Sequence, residues 1–296
     1  MSPKKRLNIL LADDGSQHAQ AAVELLQELP LPPKSSILVL RAFNSGQIPL
    51  ISDFEKSLER SKGQLAGSGF RVETELKLGS AAQMILEHAE AKMPDLIVLG
   101  AKGLRSTMSI LLGGVAQQVM EYATCPVLIV RAPYRGFYKI LLTTDGSPSS
   151  LKAARYLTKF PLPQKAEVHV MHVLPPIQMP VLMEPQYGTW HTIYAVYPTR
   201  EEEEIRCEQE KKQGEALLKR TCNLLQRNGM DPDCKLLRGD AATEIMDYVK
   251  ANQIDLIVAG SHGYGNFKSL WVGSVSRKLV HYSDCSVLLV KGPGKE

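Results

Sequence analysis

The chain repeats itself, and the repeat limits what it can fold into more than its composition does. Ile9-Leu10-Leu11-Ala12-Asp13-Asp14-Gly15-Ser16 returns as Ile140-Leu141-Leu142-Thr143-Thr144-Asp145-Gly146-Ser147, 131 residues later. Pro30-Leu31-Pro32 returns at the same offset as Pro161-Leu162-Pro163. Farther along the offset becomes 160. There Gly79-Ser80-Ala81-Ala82 matches Gly239-Asp240-Ala241-Ala242, and Asp95-Leu96-Ile97-Val98 matches Asp255-Leu256-Ile257-Val258. Cys125-Pro126-Val127-Leu128-Ile129-Val130 then matches Cys285-Ser286-Val287-Leu288-Leu289-Val290. Several blocks in one order mean a duplication, and the second copy carries 29 extra residues, the difference between the two offsets. The expected boundaries are 1–134 and 135–296, with the insertion at about 175–203.

Each copy reads as alternating strands and helices. A short apolar strand leads into an Asp-Gly-Ser turn and a helix over Gln17 to Gln27, whose Ala21, Ala22, Leu25 and Leu26 form an apolar stripe. Pro30-Leu31-Pro32-Pro33 stops that helix. Ser16 and Ser147 sit where an N-cap is needed, and Gly79-Ser80 and Gly239-Asp240 read as turn plus cap for a later helix. Apolar runs without polar alternation, such as Asp255 to Ala259, are buried parallel strands. The expected class is α/β: two tandem Rossmann-like or flavodoxin-like domains. Each has a five-stranded, mainly parallel sheet of order 3-2-1-4-5 with helices on both faces.

In a sheet of this kind the ligand crevice lies at the carboxyl ends of the strands. Two features of each copy meet there. One is the aspartate after the first strand, Asp14 or Asp145; the other is a glycine loop after the fourth. In copy two the loop runs Gly260-Ser261-His262-Gly263, nine residues, then Gly273-Ser274. A glycine loop between a strand and a helix N-terminus presents backbone N–H groups to phosphate. The pattern is neither G-x4-G-K-[ST] nor G-x-G-x-x-G. Copy one reads Gly100-Ala101-Lys102-Gly103, nine residues, then Gly113-Gly114-Val115-Ala116. Its glycines survive, but Gly114 stands for Ser274, Ala116 for Ser276 and Lys102 for His262. Two hydroxyl donors are missing there, while Lys102 offers a point charge.

The Asp-Gly-Ser turn, the G-x2-G-x9-G-S loop and the closing Pro-Val-Leu-Ile-Val type of strand together resemble the universal stress protein family, over nearly the whole chain except the insertion. The resemblance implies ATP or another adenine nucleotide as cofactor, since members that lack the glycines generally do not bind it. It implies a copy-two site of Thr144, Asp145, Val173, Gly260, His262, Gly263, Gly273, Ser274, Val275 and Ser276. Thr144 and Val173 would line the adenine slot and Asp145 would accept from the ribose or the base. Gly273, Ser274 and Ser276 would meet phosphate. For copy one it implies Asp13, Asp14, Ala42, Gly100, Lys102, Gly103, Gly113, Gly114 and Val115, a site left open. Mg²⁺ beside the phosphates is also open, with no residue assigned to it. The family's domains pair through their last strands, so the two halves are expected to pair within one chain, and two chains to form a homodimer.

The function expected is that of a nucleotide-dependent sensor or switch in stress response. The alternatives are a slow ATPase or phosphotransferase, and an interaction module without nucleotide. His262 reads as a loop side chain rather than a base, and Ser16 and Ser147 as caps rather than nucleophiles, because no partner base is in sight. Asp13-Asp14 does not read as a metal pair, because successive residues at a strand end point oppositely. A net charge of +4 with mixed signs gives no case for nucleic acid. No stretch approaches the roughly 18 apolar residues of a membrane span, and a cytoplasmic location is expected. The cysteines, 125, 207, 222, 234 and 285, show no metal or redox spacing and read as plain thiols. The insertion, rich in Pro and aromatics, is expected to pack against copy one or another chain, and Glu201 to Glu204 to open a helix reaching about Gln226.

Overall fold

The computed structural model describes residues 6–67, 69–104, 112–177, 199–263 and 272–291. Most of the insertion lies outside the described residues, and with it the expectation that the segment packs on a neighbouring surface. The first half runs β1 (Asn8–Ala12), α1 (Gln17–Glu28), β2 (Ser36–Phe43), a 3-10 turn (Ser45–Leu50), α2 (Ile51–Ala66), β3 (Arg71–Leu78), α3 (Ala81–Lys92), β4 (Leu96–Gly100), α4 (Gly114–Tyr122) and β5 (Val127–Val130). The second half repeats it as β6 (Lys139–Thr143), α5 (Pro148–Leu157), β7 (Glu167–Leu174), α6 (Arg200–Gln226), β8 (Pro232–Arg238), α7 (Ala241–Asn252), β9 (Leu256–Gly260), α8 (Ser274–Tyr282) and β10 (Ser286–Val290).

Strand order among the described residues is β3-β2-β1-β4-β5-β10-β9-β6-β7-β8. Each half therefore has the order 3-2-1-4-5 expected from its βα alternation, and its strands run parallel. The two sheets join where β10 pairs antiparallel with β5, with Leu288 opposite Leu128. Both strands are buried throughout. Left apart, each would present an apolar, unpaired edge to water.

Two apolar layers cover the sheet, and both run through the two halves. One gathers Leu25 and Leu26 of α1, Leu58 and Leu65 of α2, Leu157 of α5 and Leu225 of α6 on Leu11, Leu128 and Leu288. The other packs Ile85 of α3, Met120 of α4, Ile245 of α7 and Leu279 of α8 on Leu10, Ile97 and Ile257. Helix α6 starts with the acids the sequence shows. Thr199 accepts from the Glu202 N–H, and Glu202 accepts from the Thr199 N–H in return, a complete capping box.

The halves also grip each other through a reciprocal pair of cations that sequence reading passed over. Arg131, just after β5, donates to the carbonyls of Val280 and His281 at the end of α8, at 2.8 and 3.3 Å. Lys291, just after β10, donates to the carbonyls of Met120 and Glu121 at the end of α4. Each half thus supplies a cation to the negative end of a helix in the other. Burial of Lys291 pushes its pKa down to about 8. Below that pH the ammonium is charged in both states and the fold carries the full cost of burying it. From pH 8 to about 10.5 the folded chain has released a proton that the unfolded chain still holds, so this contribution makes stability rise with pH, by about 3 kcal/mol in all. Denaturant unfolding of wild type and Lys291→Met across pH 7–10 should show the variant falling further behind as pH rises. A constant gap would mean that Lys291 titrates normally.

The cysteine expectation needs correcting. Cys222 of α6 and Cys234 of β8 are joined as a disulfide, while Cys125, Cys207 and Cys285 are free. The pair is 12 residues apart in sequence, and only the packing of α6 on β8 brings the two thiols together.

Candidate functional site

Each half opens a cavity at the carboxyl ends of its strands, about 660 Å³ in the second half and about 730 Å³ in the first. Both fall in the range of small-molecule sites. The second is lined by all ten residues that the sequence assigns to copy two: Thr144, Asp145, Val173, Gly260, His262, Gly263, Gly273, Ser274, Val275 and Ser276. The first is lined by Asp13, Asp14, Ala42, Gly100, Lys102, Gly103, Gly113, Gly114 and Val115, again the full set.

The turn after the first strand of each half is tied to the glycine loop by one serine. Ser147 accepts from the Ser150 N–H as the N-cap of α5 and donates to the carbonyl of His262 at 3.2 Å. Ser16 does the same with Ala19 and the carbonyl of Lys102. The capping role expected of both serines holds, and each hydroxyl also fixes the loop. Asp145 accepts from the Ser147 N–H at 2.9 Å, and Asp14 from the N–H groups of Ser16 and Leu104. These carboxylates organise the loops and still keep free lone pairs. The two aspartates of copy one diverge, since Asp13 is buried against Ser61 of α2 at 2.6 Å.

Three glycines that look alike in sequence do three different things. A Cβ on Gly260 would stand 2.6 Å from the Ser149 carbonyl carbon and 2.7 Å from Ser150 N, so this glycine lets α5 cross β9. Gly260 lines the cavity, and its bareness is also demanded by the protein's own backbone. A Cβ on Gly263 would lie 2.7 Å from Asp145 Oδ2. At Gly273 the nearest atoms would be 3.5 Å away, ordinary contact, and its φ of −59° suits any residue. Nothing among the described residues asks for glycine there.

Gly273 is the N-cap of α8 and Gly113 that of α4, and neither helix start has a side-chain cap. The first-turn N–H groups of both helices, orphaned by helix geometry, thus border the cavities. Ser274 is exposed at the mouth. Ser276 behaves differently from its expected role: its hydroxyl is buried and donates to the carbonyl of Gly260 at 2.7 Å, bracing the loop. Ala116 in copy one therefore forfeits that brace, and the donor missing from its cavity mouth is one hydroxyl, not two. The third-helix caps differ as well. Asp240 accepts from the Thr243 N–H, whereas Ser80 makes no side-chain cap bond.

Other lining residues went unread. Ala241 and Ile245 of α7 form one wall, and Ala81 and Ile85 of α3 form its twin. The repeated Gly-[Ser/Asp]-Ala-Ala block marked them, with Ile85 and Ile245 four residues on, on the same helix face. Arg41 was hidden inside an apolar strand. It is buried in the first cavity's wall, stacks over Phe54 at 4.3 Å and donates to the carbonyl of Asp14 at 2.7 Å. Its counterpart at the 131-residue offset is His172, whose Nδ1 meets the carbonyl of Thr144 at 2.8 Å. The two cavities thus share a frame and differ in charge: Arg41 and Lys102 in one, His172 and His262 in the other.

Comparison with known proteins agrees with this architecture. The model of the universal stress protein family matches residues 5–131 and again 136–291. The chain is 29% identical over 168 residues to the universal stress protein MJ0531 of Methanocaldococcus jannaschii, across 57% of this chain and 90% of that one. It is 32% identical over 156 residues to the universal stress protein YxiE of Bacillus subtilis, across 52% of this chain and 99% of that one. A solved universal stress protein from Archaeoglobus fulgidus aligns over 98% of both chains with a TM-score of 0.69 at 19% identity, a likeness of fold alone. With both halves matched by the family model on two copies of one sheet, the chain belongs to the universal stress protein family and carries two of its domains in tandem.

Proposed function

We propose that this stress protein binds an adenine nucleotide, ATP in the first place, in the second-half cavity. Its phosphates would lie on the N–H groups that open α8. The observation that carries the reading is the uncapped start of α8 on a cavity of about 660 Å³, behind a glycine that packing among the described residues does not require. Helix N-termini of this kind favour anions through their free N–H groups and the helix dipole. The apolar walls, Val173, Ala241 and Ile245, suit the faces of a base, and Asp145 retains capacity for a sugar hydroxyl. Nucleotide then acts as a switch by favouring whichever conformation fits it better.

The first-half cavity takes the same class of ligand. It keeps the uncapped helix and lacks one hydroxyl, with Lys102 and Arg41 supplying charge in its place. The reading includes work in the cytoplasm and assembly of two chains, testable by fractionation and light scattering. Among the described residues no helix is long and apolar enough to cross a membrane. The direct test is to denature freshly purified protein and identify what is released by mass and absorbance. An adenine nucleotide is expected. Protein that releases none, and then binds none in solution, would refute the reading.

A further inference from the structure

The disulfide between Cys222 and Cys234 is not explained by the nucleotide cavities, and it has an internal control. At the 160-residue offset its two positions in the first half are Lys62 and Thr74, and the first half folds the same way without a cross-link. The bond is therefore not what this strand order requires. It closes a short loop, with a sequence separation of 12, and loops of that size contribute least to stability by cross-linking. Helix α6 holds its place by other means, through the buried Leu218 and Leu225 and the capping box at Thr199.

Exposure separates Cys234 from the half-buried Cys125 and Cys285. Cys125 and Cys285 are pushed up to about 11 by burial and present almost no thiolate near neutrality. Cys234 stands exposed on β8, an edge of the sheet, with Cys222 buried beneath it on α6. An exposed cysteine backed by a buried partner is the arrangement of an attacking thiol and a resolving thiol.

We infer that Cys222 and Cys234 form a reversible thiol-modification site that closes on reaction with hydrogen peroxide and opens to a dithiol reductant. In a reducing compartment it rests open. The Cys234 thiolate attacks one peroxide oxygen, breaking the O–O bond, and becomes a sulfenic acid as hydroxide leaves. The Cys222 thiolate then attacks the sulfenic sulfur, forming the S–S bond and expelling a second hydroxide. With the two thiol protons this makes two waters, so the pair of thiols is oxidised by two electrons and the peroxide is reduced by two. Closure pins the last turns of α6 to β8. Thr221, next to Cys222, lines a cavity of about 600 Å³ together with His172 and Asp145, which also line the nucleotide cavity. The inference does not depend on nucleotide binding.

The test uses the full chain carrying Cys207→Ser, which removes a third, half-buried free thiol. The protein is reduced with dithiothreitol without denaturant, desalted, treated with hydrogen peroxide, alkylated with iodoacetamide and peptide-mapped. Alkylation of Cys234 is expected before peroxide. Afterwards a linked Cys222–Cys234 peptide should replace the adduct, and a second reduction should reverse it. In Cys222→Ser, dimedone should trap Cys234 as its sulfenic acid. In Cys234→Ser, a change at an exposed position that spares the core, Cys222 should resist peroxide. A bond that resists reduction in the folded protein would mark a permanent staple and overturn the inference. So would continued alkylation of Cys234 after peroxide, or rapid oxidation of Cys222 in Cys234→Ser.

Discussion

Gly260→Ala should cost the protein about 3 kcal/mol, a large loss for a single methyl group. The added Cβ would stand 2.6 and 2.7 Å from backbone atoms of Ser149 and Ser150, closer than real Cβ atoms approach. No side chain can rotate away, because the obstacle is main chain at the start of α5. The helix must lift from β9, taking Ala153, Ala154 and Leu157 out of contact with the core, and such overpacking is destabilising in its own right. Gly100 in the first half faces the same obstacle in His18 and Ala19, at 2.7 to 2.9 Å. The matched control is Gly114→Ala, whose Cβ meets nothing within 4 Å at the first position of α4. That change should leave stability unaltered or raise it by up to about 1 kcal/mol. Chemical denaturation of the three variants separates them. Equal losses at Gly260 and Gly114 would show that the helix–strand crossing is not what the first glycine serves.

Gly273→Val has the opposite profile: a small effect on stability and a large one on ligand. The residue's φ of −59° and ψ of 157° accept valine, and its Cβ sits 3.5 Å from its neighbours. Toward the cavity the two methyls cover the N–H groups of Ser274, Val275 and Ser276. Affinity for ATP in this half should fall about a hundredfold, about 2.8 kcal/mol at 1.4 kcal/mol per decade, with the unfolding temperature little changed. Binding lost along with the fold would leave the effect without a local cause.

The contrast between these glycines shows what the sequence could and could not reveal. The duplication, the strand order and the two loops were legible because repeats and βα alternation depend on patterns of residue type. Which glycine the packing itself demands was not, because Gly260 and Gly273 differ only in what passes beside them in three dimensions. Ser276 has the same history. Its residue type announces a hydroxyl, and only the approach of the Gly260 carbonyl decides where that hydroxyl points. Cys222 and Cys234 carry no spacing signature, since a helix and an edge strand bring them together. Arg131 and Lys291 could have been found. Both are cations directly after a closing strand at the 160-residue offset, and a matched charge at a repeat's end points to a contact across the pseudo-twofold. Arg41 and His172 were obscured because each sits among apolar residues of a strand where alternation is weak.

The most direct measurement is a calorimetric titration of ATP into nucleotide-free full-length protein, repeated with Gly273→Val. Saturable heat with two nucleotides per chain is expected for wild type, falling to one in the working concentration range for Gly273→Val. No heat with wild type, or an unchanged titration with the variant, would contradict a nucleotide held at the start of α8.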